Sequence, residues 1–530
     1  MVSTVGSFKR INTSEVIALG TSWISFYNEK VKQTWKTAFW VTFISCLLIH
    51  IYKFTNTLPN HDTYYNVYST QDITGSGRWF LQYVCGISSY FDLPWINGLL
   101  CAVYLGLTAT VVTEIFQIKN PVVIVLTGIL LAASPCTTET LFFGYTADGY
   151  LLGLLLSALS ACLSCKSCSW KNNVFSGICL CLSLATYQAY LSFAVVLCIC
   201  YLICQLLDGE MNLKQAWKWI ARHILIYIAV MAVYYLLWKL LLVAKGLDAV
   251  EYQGISNVGN ITFSTIINGA INSVRNLALF FVEWNILEHP ASVYAVLNLL
   301  FLLGFAFVLM VALIKSGTIQ KPAMLAMILF CLMACIPAIS IWYFTSDSVL
   351  YRPMMMHGVC VLYILAMILF DKYTECRLST MFGLLMAIMI FNQSIMANIA
   401  YFYLDKCDEK TYYIGAQIME QIEKKHSQHD DIEYIAFVGQ RREQVYLTSD
   451  SHIDSIHIFV SMLEEDLLYD HSHTYLYLTN TFGLEIPDAT AELIAALETT
   501  DAVKEMEAWP SEGAVQIIDH VLVIKLGEIS

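Results

Sequence analysis

The sequence predicts a polytopic α-helical membrane protein that carries a small α/β domain at its C-terminal end. Of 530 residues, 57% are hydrophobic and 13% charged, with a mean hydropathy of +0.60. A soluble domain carries about 25% charged residues. Apolar runs close to 20 residues long, nearly free of charge, recur along the first 400 positions, and each is long enough to cross a hydrocarbon core of about 30 Å as a helix. After Tyr401 the composition turns polar and acidic. The spans of a β-barrel would instead be about 10 residues long with strict alternation, and that pattern is absent.

About eleven spans follow from the apolar runs, at roughly 37–54, 94–115, 121–136, 148–164, 174–186, 189–207, 223–243, 291–314, 323–341, 354–371 and 379–400. Only Tyr187-Gln188 divides the fifth from the sixth. Ahead of them, 1–36 forms a cytoplasmic segment. Its Ser14–Lys36 stretch mixes Val16, Ile17, Leu19, Trp23, Ile24, Phe26 and Tyr27 with lysines, which suits a helix in the membrane interface or a juxtamembrane linker. The first apolar run starts too deep for a cleavable signal, and no small-residue cleavage site follows it. Residues 37–400 form the membrane domain and 401–530 an extracytoplasmic soluble domain. That last domain, about 120 residues, is large enough for its own core. In it Asp408–Lys425 reads as a helix with Ile414, Ile418 and Ile422 at spacing four. Glu433–Gly439 and Thr474–Leu478 read as strands, Asp488–Thr499 as a helix, and Val521–Ile524 as a closing strand.

Lys and Arg give the orientation. With the N-terminus in the cytoplasm, the inner segments hold Lys9, Arg10, Lys30, Lys32, Lys36, Lys119, Lys166, Lys171, Lys214, Lys218, Arg222, Lys315, Lys321, Lys372 and Arg377. The outer side holds few cations before residue 400. An odd number of spans then puts the C-terminal domain outside. The net charge of −13 argues against a nucleic-acid partner. The 17 cysteines fall mostly within apolar helices, where a free thiol behaves as a small hydrophobe. Cys162, Cys165 and Cys168 stand at spacing three, but a metal site there needs a further ligand that the sequence does not reveal.

The polar, specific sequence lies in the loops predicted to face outward, at about 55–93, 136–147, 246–290 and 345–353. Asp62, in Asn60-His61-Asp62-Thr63-Tyr64-Tyr65-Asn66, has two readings. It is a general base at the membrane surface, or the N-cap of a re-entrant helix. His61 reads as its orienting neighbour, and Tyr65 as a ring for stacking on a sugar. Arg78, in Gly77-Arg78-Trp79-Phe80, either holds a phosphate or pairs with Asp72 or Asp92. Trp79 either stacks on a sugar or belongs to the interfacial aromatic belt. Glu139 and Asp148 flank Leu141–Tyr145 and either face a cavity or are solvated. Arg352, between Tyr351 and Pro353, joins a helix start to form an anion site, or is an exposed flank. Tyr187 and Gln188 lie at a tight turn from which they donate hydrogen bonds into the same space.

Asn60-His61-Asp62, Gly77-Arg78-Trp79, Tyr145 with Asp148, Ala185-Thr186-Tyr187-Gln188-Ala189-Tyr190 and Tyr351-Arg352-Pro353 occur in an order that resembles the type II glucosyltransferase family. These are bacterial enzymes that modify O-antigen and other surface glycans. The resemblance runs from about residue 35 to the C-terminus. It implies a C-type glycosyltransferase architecture in the bacterial plasma (inner) membrane. It also implies a polyprenyl-phosphate sugar donor, a surface glycan acceptor and inverting transfer of a hexose, glucose in this family, on the extracytoplasmic face. The family's carboxylate in the first external loop maps onto Asp62. No cofactor is expected: the lack of a Rossmann or P-loop fingerprint fits a site that no nucleotide enters, and a divalent cation is not indicated, since the His61-Asp62 pair finds no further ligands at recognisable spacing. The cytoplasmic extension and the sizeable C-terminal domain depart from the phage-encoded members. The competing class is a transporter of lipid-linked sugars, which would keep ionisable groups at mid-membrane and show inverted repeats; no repeat is detected.

Overall fold

The structure is a computed structural model that describes residues 27–85, 90–91, 93–166, 169–250, 263–282, 292–344, 351–429, 431–441, 457–459 and 467–529. The predicted interfacial stretch up to Phe26, together with Asp92 and Cys168, lies outside the described residues.

Helix starts are written in the sequence by proline and by short polar side chains. Pro94, Pro121, Pro135 and Pro322 occupy first-turn positions, where the missing N–H loses nothing and the fixed φ suits a helix. Asn120, Ser134, Ser169, Asn212 and Ser292 each accept a hydrogen bond from an N–H of the turn they cap. The membrane helices are α1 (Gln33–Thr55), α2 (Pro94–Phe116), α3 (Pro121–Ala133), α4 (Pro135–Phe142), α5 (Ala147–Lys166), α6 (Trp170–Thr186) and α7 (Leu191–Leu207). They continue as α8 (Leu213–Lys245), α9 (Phe263–Val282), α10 (Val293–Lys315), α11 (Pro322–Ile339), α12 (Gly358–Tyr373) and α13 (Cys376–His426). The first two pack tightly along their length, and a Cβ at Gly98 of α2 would run into the Phe54 ring.

Ten helical stretches among the described residues are long and apolar enough to cross a membrane. One of them is α9, which falls where a loop is expected. The described residues that flank it on either side lie at the same end of the bundle. Val250, before it, donates its N–H to the Gly75 carbonyl (3.0 Å). Ser292, after it, opens the α10–α11 hairpin, whose second helix returns toward Met354 and the same cavity. α9 also mixes Asn268, Asn272, Ser273, Arg275 and Asn276 with its apolar residues. It is therefore amphipathic, and its flanks do not require it to cross. Two shorter helices, α6 and α12, with 17 and 16 residues, do run from end to end. Setting α9 aside, the other nine and these two coincide with the eleven ranges expected from the sequence.

Three local expectations are corrected. The outward loop predicted at 136–147 begins as helix: Pro135 breaks the ladder, the Ser134 hydroxyl caps the restart, and every residue of α4 is buried. The last span and the predicted Asp408–Lys425 helix are one continuous rod of 51 residues, about 77 Å long at helical rise. The predicted strand Thr474–Leu478 is part of a helix, α14 (His471–Phe482). Its period-two alternation loses to an Asp470 N-cap, a left-handed Gly483 at the C-terminal end, and burial of Thr474, Tyr477 and Leu478 on one helical face.

The C-terminal part contains α14, α15 (Ala491–Thr499) and a three-stranded sheet in the order β1 (Tyr434–Val438), β3 (Val521–Lys525), β2 (Val515–Ile518). β1 runs parallel to β3, with Tyr434 opposite Val521, and β2 runs antiparallel to it. Ile414, Ile418 and Ile422 of α13 pack on Ile435, Phe437, Leu522 and Ile524 of the sheet, so the spacing-four stripe is the domain's core face. This domain sits on the loop that follows α1: the Tyr64 and Tyr477 rings meet edge to face at 4.8 Å.

Candidate active site

A cavity of about 410 Å³ opens at one end of the bundle. It gathers residues from six loop segments or helix ends: Asp62 and Asn66; Asp72 to Arg78; Phe143, Tyr145 and Tyr150; Tyr187; Leu247 to Val250; and Arg352 with Met354. All of the outward-facing loops predicted from the sequence contribute to it, as does the Tyr187 turn. A larger cavity, about 580 Å³, lies at the opposite end. Two of its three acids are engaged: Asp208 binds Lys372 and the Tyr373 hydroxyl (3.0 Å), and Asp371 accepts from Asn120 (2.6 Å); the third, Glu210, shares the wall with lysines and no arginine. The site with acid and arginine facing a shared space is the first one.

Asp62 stands at the N-cap position of a one-turn helix, Thr63–Asn66, but its carboxylate makes no capping bond. Asn60 does that work. Its Oδ1 accepts from the Asp62 N–H (3.1 Å) and the Thr63 hydroxyl (2.8 Å), while Thr63 Oγ1 accepts from the Asn60 N–H (2.8 Å). The turn is thus closed by its neighbours, and the Asp62 carboxylate, 39% exposed, faces the cavity. His61 Nε2 lies 3.4 Å from Asp62 Oδ2. Burial lowers the His61 imidazole below its ordinary value, with Arg352 and His473 adding to the effect against the pull of Asp62. A neutral ring beside the acid orients it without neutralising it. Tyr65 turns away, stacked on His473 of α14 at 5.7 Å.

The Arg78 loop is fastened by α8. Trp238 donates to the Thr74 carbonyl (2.7 Å), Tyr234 to the Gly77 carbonyl (3.0 Å), and Lys245 to Asp72 (2.6 Å) and Thr74 Oγ1 (3.0 Å). From the other side Gln188 donates to the Ser76 carbonyl (2.7 Å). Gly77 has a left-handed φ of 85° and a Cβ there would overlap the Tyr234 hydroxyl and the Gln188 amide. Gly77→Ala is therefore expected to abolish activity while lowering the thermal midpoint of the detergent-purified protein. An active Gly77→Ala enzyme with wild-type melting would show that this fastening is dispensable. Arg78 itself donates from Nη1 to the Tyr150 hydroxyl (3.0 Å) and lies over the Tyr187 ring at 5.0 Å. Asp72 is occupied by Lys245, so it is not the partner of Arg78 that the sequence allowed.

Arg352 opens a short 3₁₀ turn, Pro353–Met355. The anion site expected from that helix start is taken: the Met354 N–H donates to Glu139 Oε2 (2.5 Å). The guanidinium of Arg352, not the turn's backbone, is what the cavity offers. Glu139 is wholly buried and braces the turn from α4. Asp148, in the first turn of α5, is buried as well and does not line the cavity. Gln188 is a fastener of the Arg78 loop. Trp79 packs among Leu180, Leu184 and Tyr234, away from the cavity. Of the residues singled out from sequence, Asp62, Arg78, Tyr145, Tyr187 and Arg352 share the cavity wall, and His61 adjoins it. Asn66, Tyr150 and Asp248 were missed. Tyr150 carried a signal, standing two residues past Asp148 at the predicted outer end of a span.

No curated protein and no solved structure matches this chain. The sequence profile of the family described as Glucosyl transferase GtrII matches residues 51–370, from the last turns of α1 through α12, and so includes every wall of the cavity but not the α/β domain. A match over more than half of the sequence, on a bundle of apolar membrane-length helices, makes this chain a member of the Glucosyl transferase GtrII family, a membrane glucosyltransferase.

Proposed function

We propose that the protein transfers a hexose, glucose by family, from a polyprenyl-phosphate donor to a surface glycan on the extracytoplasmic face of a bacterial plasma membrane. The observation that carries this reading is the convergence of Asp62, Arg78 and Arg352 on one cavity at the end of a lipid-facing bundle. Charge asymmetry supports the orientation: the opposite end holds Lys32 and Lys166 on Glu114, and Lys372 on Asp208.

In this mechanism the acceptor hydroxyl gives its proton to the Asp62 carboxylate as its oxygen bonds to the anomeric carbon. The bond from that carbon to the phosphate oxygen breaks on the opposite face, so configuration inverts, and polyprenyl phosphate leaves as an anion. Arg78 and Arg352 hold the phosphate where charge develops. Tyr145, Tyr150 and Tyr187 flank the sugar. The α/β domain, seated on the Asp62 loop, borders the side from which a glycan would enter. No metal or other cofactor has a role in this scheme.

Purified protein is to be incubated with synthetic polyprenyl-phosphate glucose and a glycan acceptor in detergent. A new glycosidic bond of inverted configuration is expected. Transfer from a nucleotide sugar alone would refute the lipid donor. Lipid movement across vesicles without bond formation would favour the transporter.

A further inference from the structure

The three-cysteine cluster noted in the sequence acquires different partners in the fold. Cys165, in the last turn of α5, meets Cys198 of α7 with sulfurs 3.6 Å apart, and His223 of α8 faces both. The two sulfurs and one imidazole nitrogen lie within 4.8 Å of one another, and all three residues are buried. This cluster is at the bundle end opposite the cavity, beside Lys166 and Arg222.

The histidine points to a ligand. His223 Nδ1 is 2.9 Å from the Trp219 carbonyl. A carbonyl only accepts, so Nδ1 carries a proton and Nε2 is the nitrogen whose lone pair is open to a ligand. That nitrogen is buried and makes no hydrogen bond of good geometry; the polar group it faces is the Cys198 thiol. A metal-binding histidine is held in this way, its second nitrogen donating to a carbonyl so that the tautomer and ring plane are fixed. The sulfur separation fits too. Zinc–sulfur bonds of about 2.3 Å set at tetrahedral angles put two ligand sulfurs about 3.8 Å apart. Two thiolates around a dication leave a site of no net charge, which burial in apolar surroundings tolerates. The Tyr227 hydroxyl, 3.2 Å from Cys198 Sγ, supplies an outer contact to one sulfur.

We propose that Cys165, Cys198 and His223 form a buried Cys₂His site for a soft divalent metal ion, zinc in the first place, with a fourth position left to water. Thiolate and imidazole ligands select zinc over magnesium or calcium. The site ties α8 to α5 and α7. α8 needs such a tie, because only Ala216, His223, Val230, Tyr234, Trp238 and Leu242 of its 33 residues are buried. Its far end fastens the Arg78 loop. The metal is thus a structural clamp, remote from the reacting atoms.

The test uses the full chain, purified in detergent under reducing conditions. Metal analysis is expected to find about one zinc per chain, the stoichiometry of a single three-ligand site. After chelation, titration with cobalt(II) alone is expected to produce thiolate-to-cobalt charge-transfer absorbance. Cys198→Ser and Cys165→Ser are each expected to remove that absorbance. His223→Ala, with the sulfurs kept, is expected to weaken cobalt binding by at least about tenfold, the lower end for perturbing a metal site's surroundings. Monodisperse elution of any one variant is enough for the comparison. Absence of charge-transfer absorbance in the reduced wild-type chain would overturn the proposal. So would its persistence in Cys198→Ser, or recovery of a Cys165–Cys198 disulfide from membranes alkylated before lysis. None of these readouts depends on sugar transfer, so failure of the glucosyltransferase mechanism would leave them intact.

Discussion

Asp62→Asn is expected to lower kcat for sugar transfer by about 10²- to 10⁴-fold, the range for loss of a positioned general base, with little change in melting temperature. Both halves of this expectation come from the same local geometry. The carboxylate makes no capping bond, and Asn60 and Thr63 close the turn without it. An amide of nearly the same shape therefore leaves the fold intact and removes only the basicity. The cavity contains two other acids, Asp72 and Asp248. The first is held by Lys245 and Thr74, and although burial works to raise its pKa, these partners bring it below the ordinary carboxylate range. It is a poor base by that measure. Asp248→Asn is the decisive comparison. If that variant loses the activity while Asp62→Asn transfers sugar at the wild-type rate, the base is Asp248 and the mechanism must be redrawn around the α8 end.

The parts of this protein that were legible in its sequence are those governed by local periodicity and by membrane thickness. Eleven crossings, the change of character after Tyr401, the Ile414/Ile418/Ile422 stripe and the strand at Val521–Ile524 all depend on residues near one another in the chain. The corrections came where a local pattern was ambiguous or where the third dimension decided. Thr474–Leu478 satisfies both a strand's alternation and a helix's face, and only Asp470 and Gly483 at its ends discriminate between them. α9 is apolar enough to span, yet the residues described on either side of it, Val250 and the start of the α10–α11 hairpin, are at the same end. The site was legible as a list of polar residues in predicted outward loops, since a carboxylate or guanidinium at a membrane surface needs a reason to be there. What the list did not contain was the division of labour. Glu139, Gln188 and Asp148 have the same residue types as cavity-lining groups, but the first two brace backbone turns and the third is buried away from the wall. No spacing rule separates a carboxylate that binds substrate from one that binds a backbone N–H 215 residues away.

That division sets the expected behaviour of the two arginines. Arg78→Ala and Arg352→Ala are each expected to reduce kcat by about 10²- to 10³-fold, the cost of removing one fixed donor from developing charge. The charge on the leaving phosphate grows as the glycosidic bond breaks, so most of the loss falls on kcat and less on KM. Lysine substitution separates the two sites. Arg78 is held by a planar contact over Tyr187 and a directed bond to Tyr150, and a flexible ammonium reproduces neither. Arg78→Lys is therefore expected to stay close to the alanine variant. Arg352 stands at the cavity wall beside the braced Pro353–Met355 turn, where a point charge recovers part of the attraction, so Arg352→Lys is expected to retain more activity than Arg352→Ala. The measurement is kcat and KM for polyprenyl-phosphate glucose in the four variants, with elution profiles to confirm folding. Unchanged kcat in both alanine variants, with folding preserved, would remove the arginines from phosphate binding. It would leave the cavity with a base but no means of stabilising the leaving group.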